Sequence, residues 1–205
     1  TDGPLGYVQE MYNEFFGLED EPFSVTPDPD FIFYGEQYKE ALAHLLYGIQ
    51  ERRGMLLLTG RVGSGKTTLC KTLLRELEEE THTTFLRGSF DSPRDLLRAL
   101  ARDLGFDVPE DASREKLYSR LEDFLRDSYQ EGRNACLIVD ESQNLSLECL
   151  EQLRLLSNLE TNKDKLLQIV LVGQPELEGL LNQPELRQLK QRISIRSYLS
   201  HLEED

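Results

Sequence analysis

The residues best suited to chemistry in this sequence form one continuous run. Nine consecutive positions, the first eight of which fit the pattern G-x-x-x-x-G-K-[ST], are Gly60, Arg61, Val62, Gly63, Ser64, Gly65, Lys66, Thr67 and Thr68. Glycines in such a run allow backbone conformations that turn several N–H groups inward on an anion. We expect Lys66 to reach the β- and γ-phosphates of a nucleotide and the Thr67 hydroxyl to ligate Mg²⁺. The run therefore predicts a Walker A phosphate-binding loop that takes a nucleoside triphosphate.

The segments on both sides of this loop have the pattern that such a loop requires. An apolar run at 55–59 precedes it and predicts a strand, and a helical pattern follows at 68–74. A helix that starts at the loop directs the positive end of its dipole at the bound phosphate. A chance glycine-rich turn is the competing interpretation, and the two matching flanks count against it.

A second candidate feature is a pair of carboxylates after the apolar run 135–139, in the pattern of a Walker B strand. We expect Asp140 to hold Mg²⁺ through water, because Mg²⁺ keeps much of its hydration in proteins. Glu141 is placed to accept a proton from an attacking water, which predicts hydrolysis of the nucleotide. The competing interpretation is a strand that ends in ordinary solvent-facing acids.

Gln174 follows another apolar run, 166–172, and is the candidate for a group that senses the γ-phosphate or orients water. In a parallel sheet the carboxyl ends of all strands meet at one edge, where this amide would lie beside the phosphate loop. A glutamine that simply begins the turn before Pro175 is the alternative.

Arginines in the segment 184–193 are candidates for a group that acts on a neighbouring subunit's nucleotide. Arg192, just before the last predicted strand, is the first choice, and Arg187 is the second. An arginine inserted beside the phosphates neutralises charge in the transition state of phosphoryl transfer. The alternative is an ordinary surface salt bridge.

Composition limits the classes of protein that this chain can belong to. The 205 residues include 23 basic and 38 acidic side chains, a formal net charge of −15. That charge argues against bulk nucleic-acid binding, which needs clustered lysine and arginine. Cys70, Cys136 and Cys149 are odd in number and lie in apolar patterns, which predicts reduced core residues of a cytoplasmic protein. No apolar stretch approaches the ~18 residues of a membrane span.

Strands and helices alternate along the chain, which predicts a doubly wound α/β domain with a mainly parallel sheet. Residues 15–34 are rich in aromatic residues and proline and predict an ordered, irregular N-terminal arm. Residues 1–10 are expected to be a leader or a vector-derived remnant, 11–54 the arm with its helix, and 55–205 the nucleotide-binding core. The predicted strands are 55–59, 83–88, 135–139, 166–172 and 193–199, and the longer predicted helices are 36–52, 65–80, 93–104, 113–130 and 147–159.

Taken together, these residues resemble the AAA+ branch of phosphate-loop ATPases, most closely the general secretion pathway protein A type. That type includes ATPases of type II secretion and of pilus or exopolysaccharide systems. The segments that carry the resemblance are 15–18, 22–29, 40–49, 60–67, 140–145, 153–161, 172–177 and 191–193.

The resemblance implies a five-stranded AAA+ core that binds ATP and Mg²⁺. It implies an ATPase whose turnover drives assembly or remodelling of a secretion or cell-envelope complex, as a nucleotide-dependent homo-oligomer. The family's helical lid would begin where this chain stops, near Asp205, so we expect the lid to be absent here. Any membrane anchor in the inner membrane would come from parts outside this chain. Two alternatives stay open, a nucleotide-gated DNA-associated regulator of the transposition type and a nucleotide-binding scaffold with low turnover.

Overall fold

A computed structural model describes residues 35–77, 81–106, 108–109 and 111–200 of the chain. None of the helices in these ranges is long and apolar enough to cross a membrane. Short 3₁₀ helices occupy Ser142–Asn144 and Pro184–Leu186. The α-helices are α1 (Glu36–Gln50), α2 (Lys66–Leu77), α3 (Pro93–Asp103), α4 (Arg114–Gln130), α5 (Leu147–Leu156), α6 (Glu176–Leu181) and α7 (Arg187–Arg192), and the strands are β1 (Met55–Gly60), β2 (Thr81–Arg87), β3 (Asn134–Asp140), β4 (Gln168–Gly173) and β5 (Ile193–Leu199).

The five strands of the described residues form one sheet in the order β2-β3-β4-β1-β5, and every neighbouring pair is parallel. This confirms the predicted α/β class with a five-stranded sheet. Strands β1, β3 and β4 are buried along their whole length, as continuously apolar strands are when helices cover both faces. Because the strands are parallel, the segments that follow β1, β3 and β4 lie at one edge of the sheet.

Several elements start or stop at other residues than the sequence pattern predicts. Helix α1 ends at Gln50 instead of residue 52, because Arg52 turns the chain with a left-handed φ of 51°. Helix α5 ends at Leu156 instead of 159. There the Ser157 hydroxyl donates to the Arg154 carbonyl at 2.7 Å and competes for an acceptor that a further turn of helix would use. The predicted arm, the leader and residues 78–80 lie outside the described residues.

The cysteines are free and buried, as predicted. Burial raises the pKa of the Cys136 thiol to about 12. It also raises the pKa of Cys70, with a smaller contribution from the nearby charge of Asp140. Thiols in such surroundings are inert core groups, since the thiolate is the reactive form.

Helix α1 packs closely on the sheet at Gly48. A Cβ atom there would lie 2.3 Å from Leu56 Cδ2 and 2.7 Å from Ile195 Cδ1. We predict that Gly48→Ala lowers the free energy of unfolding by about 1–3 kcal/mol, because the inserted methyl group overpacks this contact. Urea denaturation followed by circular dichroism measures the change.

Gly179 in α6 is the matched control, since a Cβ atom there would meet nothing within 4 Å. Gly179→Ala should raise the free energy of unfolding by roughly 0.4–1 kcal/mol, because alanine restricts the unfolded chain. Equal effects of the two substitutions would contradict the close packing of α1 on the sheet.

Candidate active site

The candidate phosphate loop joins the end of β1 to the start of α2, as predicted. Gly63 and Gly65 have φ angles of 80° and 87°, a left-handed conformation that other residues rarely adopt. A Cβ atom at Gly65 would meet nothing within 4 Å, so the backbone conformation is what requires glycine there. At Gly60 the reason is a close approach, because a Cβ atom would lie 2.5 Å from the Leu199 carbonyl oxygen of β5.

Lys66 is the first residue of α2, and its largely buried side chain reaches back to the start of the loop. Its Nζ donates to the carbonyl oxygens of Gly60 at 2.7 Å and Arg61 at 2.8 Å. These acceptors are uncharged, so they do not neutralise the ammonium group. The Ser64 hydroxyl is buried in the same loop without a hydrogen-bond partner among the described residues. A cationic amine and an unsatisfied hydroxyl in one glycine-rich cradle suit a bound phosphate.

Arg61, Val62 and Thr68 are the other predicted nucleotide-binding residues of this segment. Arg61 and Val62 are exposed, and Val62 is 70% accessible to solvent, a large fraction for an apolar residue. Thr68 is half-buried on the first turn of α2, where its carbonyl accepts a hydrogen bond from the Thr72 hydroxyl at 3.2 Å. Their predicted contacts with nucleotide stay predictions.

The structure brings Thr67 and Asp140 together, although 72 residues separate them in the sequence. The Thr67 hydroxyl donates to Asp140 Oδ2 at 3.1 Å, and the Glu141 N–H donates to Oδ1 at 2.9 Å. The Asp140 side chain is fully buried. Arg87, at the end of the neighbouring strand β2, places its Nε 3.9 Å from Asp140 Oδ2. Arg87 was not predicted as a site residue, because only the pairing of β2 with β3 brings it to the site.

Glu141 directly follows β3 and has a left-handed backbone conformation, with φ 56° and ψ 37°. Two amides point at its carboxylate: Gln143 Nε2 lies 2.5 Å from Oε2 and Gln174 Nε2 lies 3.4 Å from it. The structure therefore brings Gln174 and Glu141 together. The predicted role of Gln174 at the γ-phosphate stays a prediction. Gln143 was not predicted as a site residue. The signal that could have identified it is a polar amide two residues after a candidate base.

The structure places Arg192 away from this chain's own phosphate loop. Arg192 directly precedes Ile193, which pairs with Met55 at the start of β1, whereas the loop follows the end of β1. The length of β1 separates the two, about 17 Å at the usual rise of a strand. Arg192 lies near Glu160, whose pKa is lowered first by Lys165 and to a smaller extent by the charge of Arg192.

Arg187, the second candidate, is exposed at the start of α7, the short helix that ends at Arg192. Neither arginine belongs to the cluster at the carboxyl edge. The predicted residues that do meet there are Lys66, Thr67, Asp140, Glu141 and Gln174.

Thr67 and Asp140 are the residues that could hold a metal ion at this edge. The described part of the chain has no group of three or more His, Cys, Asp or Glu side chains that could hold one. Mg²⁺ needs no such group, because it binds through one or two protein oxygens together with water and nucleotide phosphates. A hydroxyl and a carboxylate 3.1 Å apart, beside a phosphate cradle, are the oxygen donors that fit it.

The fold and this cluster define a phosphate-loop nucleotide-binding domain. Comparison with protein families agrees: residues 49–181 match the family described as AAA domain. The chain belongs to this family. The matched range runs from the end of α1 through α6 and includes the phosphate loop, Asp140, Glu141 and Gln174.

Among individual proteins, the chain is similar to general secretion pathway protein A of Aeromonas hydrophila, with 46% identity over 189 residues. The match covers 92% of this chain and 35% of that protein, so the chain spans about a third of the relative's length. The resemblance found in the sequence is therefore confirmed for the ATPase core.

Solved structures with the same fold include archaeal proteins of low sequence identity. The ORC2 protein of Aeropyrum pernix matches with a TM-score of 0.61 and 18% identity over 80% of this chain and 47% of that one. Cdc6p of Pyrobaculum aerophilum matches with a TM-score of 0.59 and 22% identity, covering 83% of this chain and 48% of that one. A Walker-type ATPase of Pyrococcus abyssi matches with a TM-score of 0.59 and 17% identity, covering 89% of this chain and 58% of that one. These similarities establish the fold.

Proposed function

We propose that this chain is a Mg²⁺-dependent ATPase. The observation that carries the proposal is the meeting of Lys66, Thr67, Asp140 and Glu141 at one edge of the sheet, although they come from two distant segments. Phosphoryl transfer needs groups that position the phosphates and stabilise their charge. A cation, a hydroxyl and two carboxylates beside a glycine-rich loop are such groups.

Each residue of the cluster has a separate role in this proposal. The loop N–H groups and Lys66 hold the phosphates, and Lys66 exchanges its two carbonyl acceptors for phosphate oxygens. Thr67 and Asp140 would hold Mg²⁺, which supplies further neutralisation of phosphate charge. Glu141 accepts a proton from the attacking water, and Gln174 orients that water or contacts the γ-phosphate.

We further propose that the chain works as a homo-oligomer in which Arg192 reaches a neighbouring subunit's nucleotide. The separation of Arg192 from its own loop supports this, since an arginine that serves a site must lie beside the phosphates. Arg187 remains the second candidate for the same role.

The cellular role proposed is assembly or remodelling of a secretion or cell-envelope complex. It is supported by the similarity to general secretion pathway protein A, of which this chain spans 35%. The predicted cytoplasmic location stays a prediction. The similarity to the ORC2 and Cdc6p structures does not support the DNA-associated alternative, because similarity at 18% and 22% identity shows the fold alone.

Replacing Lys66 with alanine tests the binding part of the proposal. We expect Lys66→Ala to weaken ATP binding by at least about 100-fold, or roughly 2.7 kcal/mol, because the charged hydrogen bonds to the phosphates are lost. Titration with a fluorescent ATP analogue, with and without Mg²⁺, measures the change.

Lys163→Ala is the matched control, since Lys163 is exposed in the turn before β4, on the side of the sheet opposite the loop. It should bind ATP like the unchanged protein. Equal affinities of the two variants would contradict the assignment of the phosphate site.

A further inference from the structure

Gln143 lies between Glu141 and the end of β4, and its side chain contacts both. Its Nε2 donates to Glu141 Oε2 at 2.5 Å, and its Oε1 accepts from the Gln174 N–H at 3.2 Å. We propose that Gln143 is a positioning residue that sets the Glu141 carboxylate relative to the end of β4. This inference rests on the proposed function, in which Glu141 accepts the proton from water.

The two partners of Gln143 determine which way its amide faces. A backbone N–H can only donate, so the oxygen of the amide must face Gln174. An ionised carboxylate can only accept, so the NH₂ group must face Glu141. The opposite orientation would break both hydrogen bonds at once. Glutamine is thus required here for its two unlike ends, and glutamate or methionine of similar length would not replace it.

The backbone around Gln143 holds the side chain in this place. Gln143 is the middle residue of the 3₁₀ helix that follows β3. The buried Ser142 hydroxyl donates to the Val139 carbonyl at 2.7 Å, and the Asn144 N–H donates to the Glu141 carbonyl at 2.9 Å. These bonds tie the short helix to the end of β3, so its orientation follows the strand.

Gly173 makes room for the amide on the side of β4. A Cβ atom at Gly173 would lie 2.6 Å from Gln143 Oε1, closer than such atoms approach. A glycine as the last residue of β4 therefore leaves space for the Gln143 side chain that bridges to Glu141. The hydrogen bond from the Gln174 N–H links this amide to the end of β4.

Glu141 needs such a bridge, because its backbone does not settle where the carboxylate points. Its left-handed φ of 56° is a conformation that non-glycine residues rarely adopt, and the carboxylate is placed by its two amide partners. The other amide, Gln174 Nε2, is 3.4 Å from Oε2, at the outer limit of a hydrogen bond. The hydrogen bond from Gln143 is the shorter and stronger of the two, so Gln143 has the larger effect on the position of the Glu141 carboxylate.

The prediction is a loss of turnover without a loss of binding. We expect Gln143→Ala to lower kcat roughly 10- to 100-fold, since a misplacement of about 1 Å at a reacting group has an effect of that size. The Kd for ATP should stay within about twofold, because the Gln143 hydrogen bonds within the described residues go to Glu141 and Gln174 and not to the loop that holds the phosphates. Single-turnover hydrolysis of γ-labelled ATP gives the rate, and titration with a fluorescent analogue gives the Kd.

Two variants separate positioning from folding. Asn144→Ala removes an exposed amide from the same 3₁₀ helix and should leave both constants unchanged. Gln143→Met keeps the length of the side chain but neither hydrogen bond, and it should lose turnover as Gln143→Ala does. If Gln143→Met is folded and fully active, the inference is wrong.

The double variant tests whether Gln143 acts through Glu141. In the Glu141→Gln background, Gln143→Ala should change the residual single-turnover rate by less than about twofold, because the group that it positions is already lost. A further drop equal to that of the single variant would show an independent role and overturn the inference. Normal hydrolysis by Glu141→Gln itself would instead refute the assignment of Glu141 as the base, whereas absence of hydrolysis by the unchanged protein would refute the proposed function.

Discussion

Replacing Glu141 with glutamine is expected to leave ATP binding unchanged and to lower kcat by roughly 10²- to 10⁴-fold, the range of a general base. The substitution keeps the size of the side chain, and a glutamine oxygen can still accept the hydrogen bond from Gln143. What it removes is the ability to take a proton from water. Steady-state phosphate release measures turnover, and a fluorescent ATP analogue measures the Kd.

The comparison with Lys66→Ala makes this result specific. Lys66→Ala should fail at binding, whereas Glu141→Gln should trap bound ATP. Glu176→Gln, at the exposed start of α6, is a control for the loss of one negative charge near the same edge of the sheet. Hydrolysis by Glu141→Gln at the rate of the Glu176→Gln protein would remove Glu141 from the mechanism.

The parts of this molecule that could be predicted from sequence are those specified by short segments. The loop that follows β1 has a pattern of eight consecutive residues, and Gly65, which the pattern fixes as glycine, has the left-handed φ of 87°. The continuous apolar runs predicted β1, β3 and β4, because buried parallel strands need no alternation. The end points of these strands differ from the predicted ones by one or two residues.

The contacts between segments could not be predicted in the same way. Arg87 approaches Asp140 because β2 pairs with β3 in a register that places the two residues side by side. Gln143 bridges from Glu141 to the N–H that follows β4, next to a left-handed conformation that the residue type of Glu141 does not favour. Both features depend on the sheet as a whole, and no local pattern specifies them.

Arg192 shows what geometry adds to a position known from sequence. The sequence alone left a surface salt bridge as an alternative. The pairing of Ile193 with Met55 puts Arg192 at the amino edge of the sheet, a strand's length from the phosphate loop of its own chain. An arginine in that place can act on a nucleotide only if a second subunit brings a loop to it. Its role is therefore testable by mixing subunits.

Two inactive variants should restore each other's activity when they are mixed. Lys66→Ala lacks a nucleotide site but supplies Arg192, and Arg192→Ala has the site but lacks the arginine. In a head-to-tail assembly with random mixing at equal amounts, about one quarter of the interfaces combine an intact site with an intact arginine. We expect each variant alone to fall by roughly 10³-fold or more in kcat and the mixture to recover up to that quarter. Phosphate release against the mixing ratio measures it.

The matched control is the double variant Lys66→Ala/Arg192→Ala, which cannot complement Arg192→Ala because it supplies no arginine. If Arg187 is the acting residue, Arg187→Ala will show the complementation and Arg192→Ala will hydrolyse ATP by itself. The rate per subunit of the unchanged protein should also rise steeply with its concentration, since the site is completed between protomers. A flat rate near zero, with no recovery in any mixture, would favour a nucleotide-binding scaffold over a self-assembling ATPase.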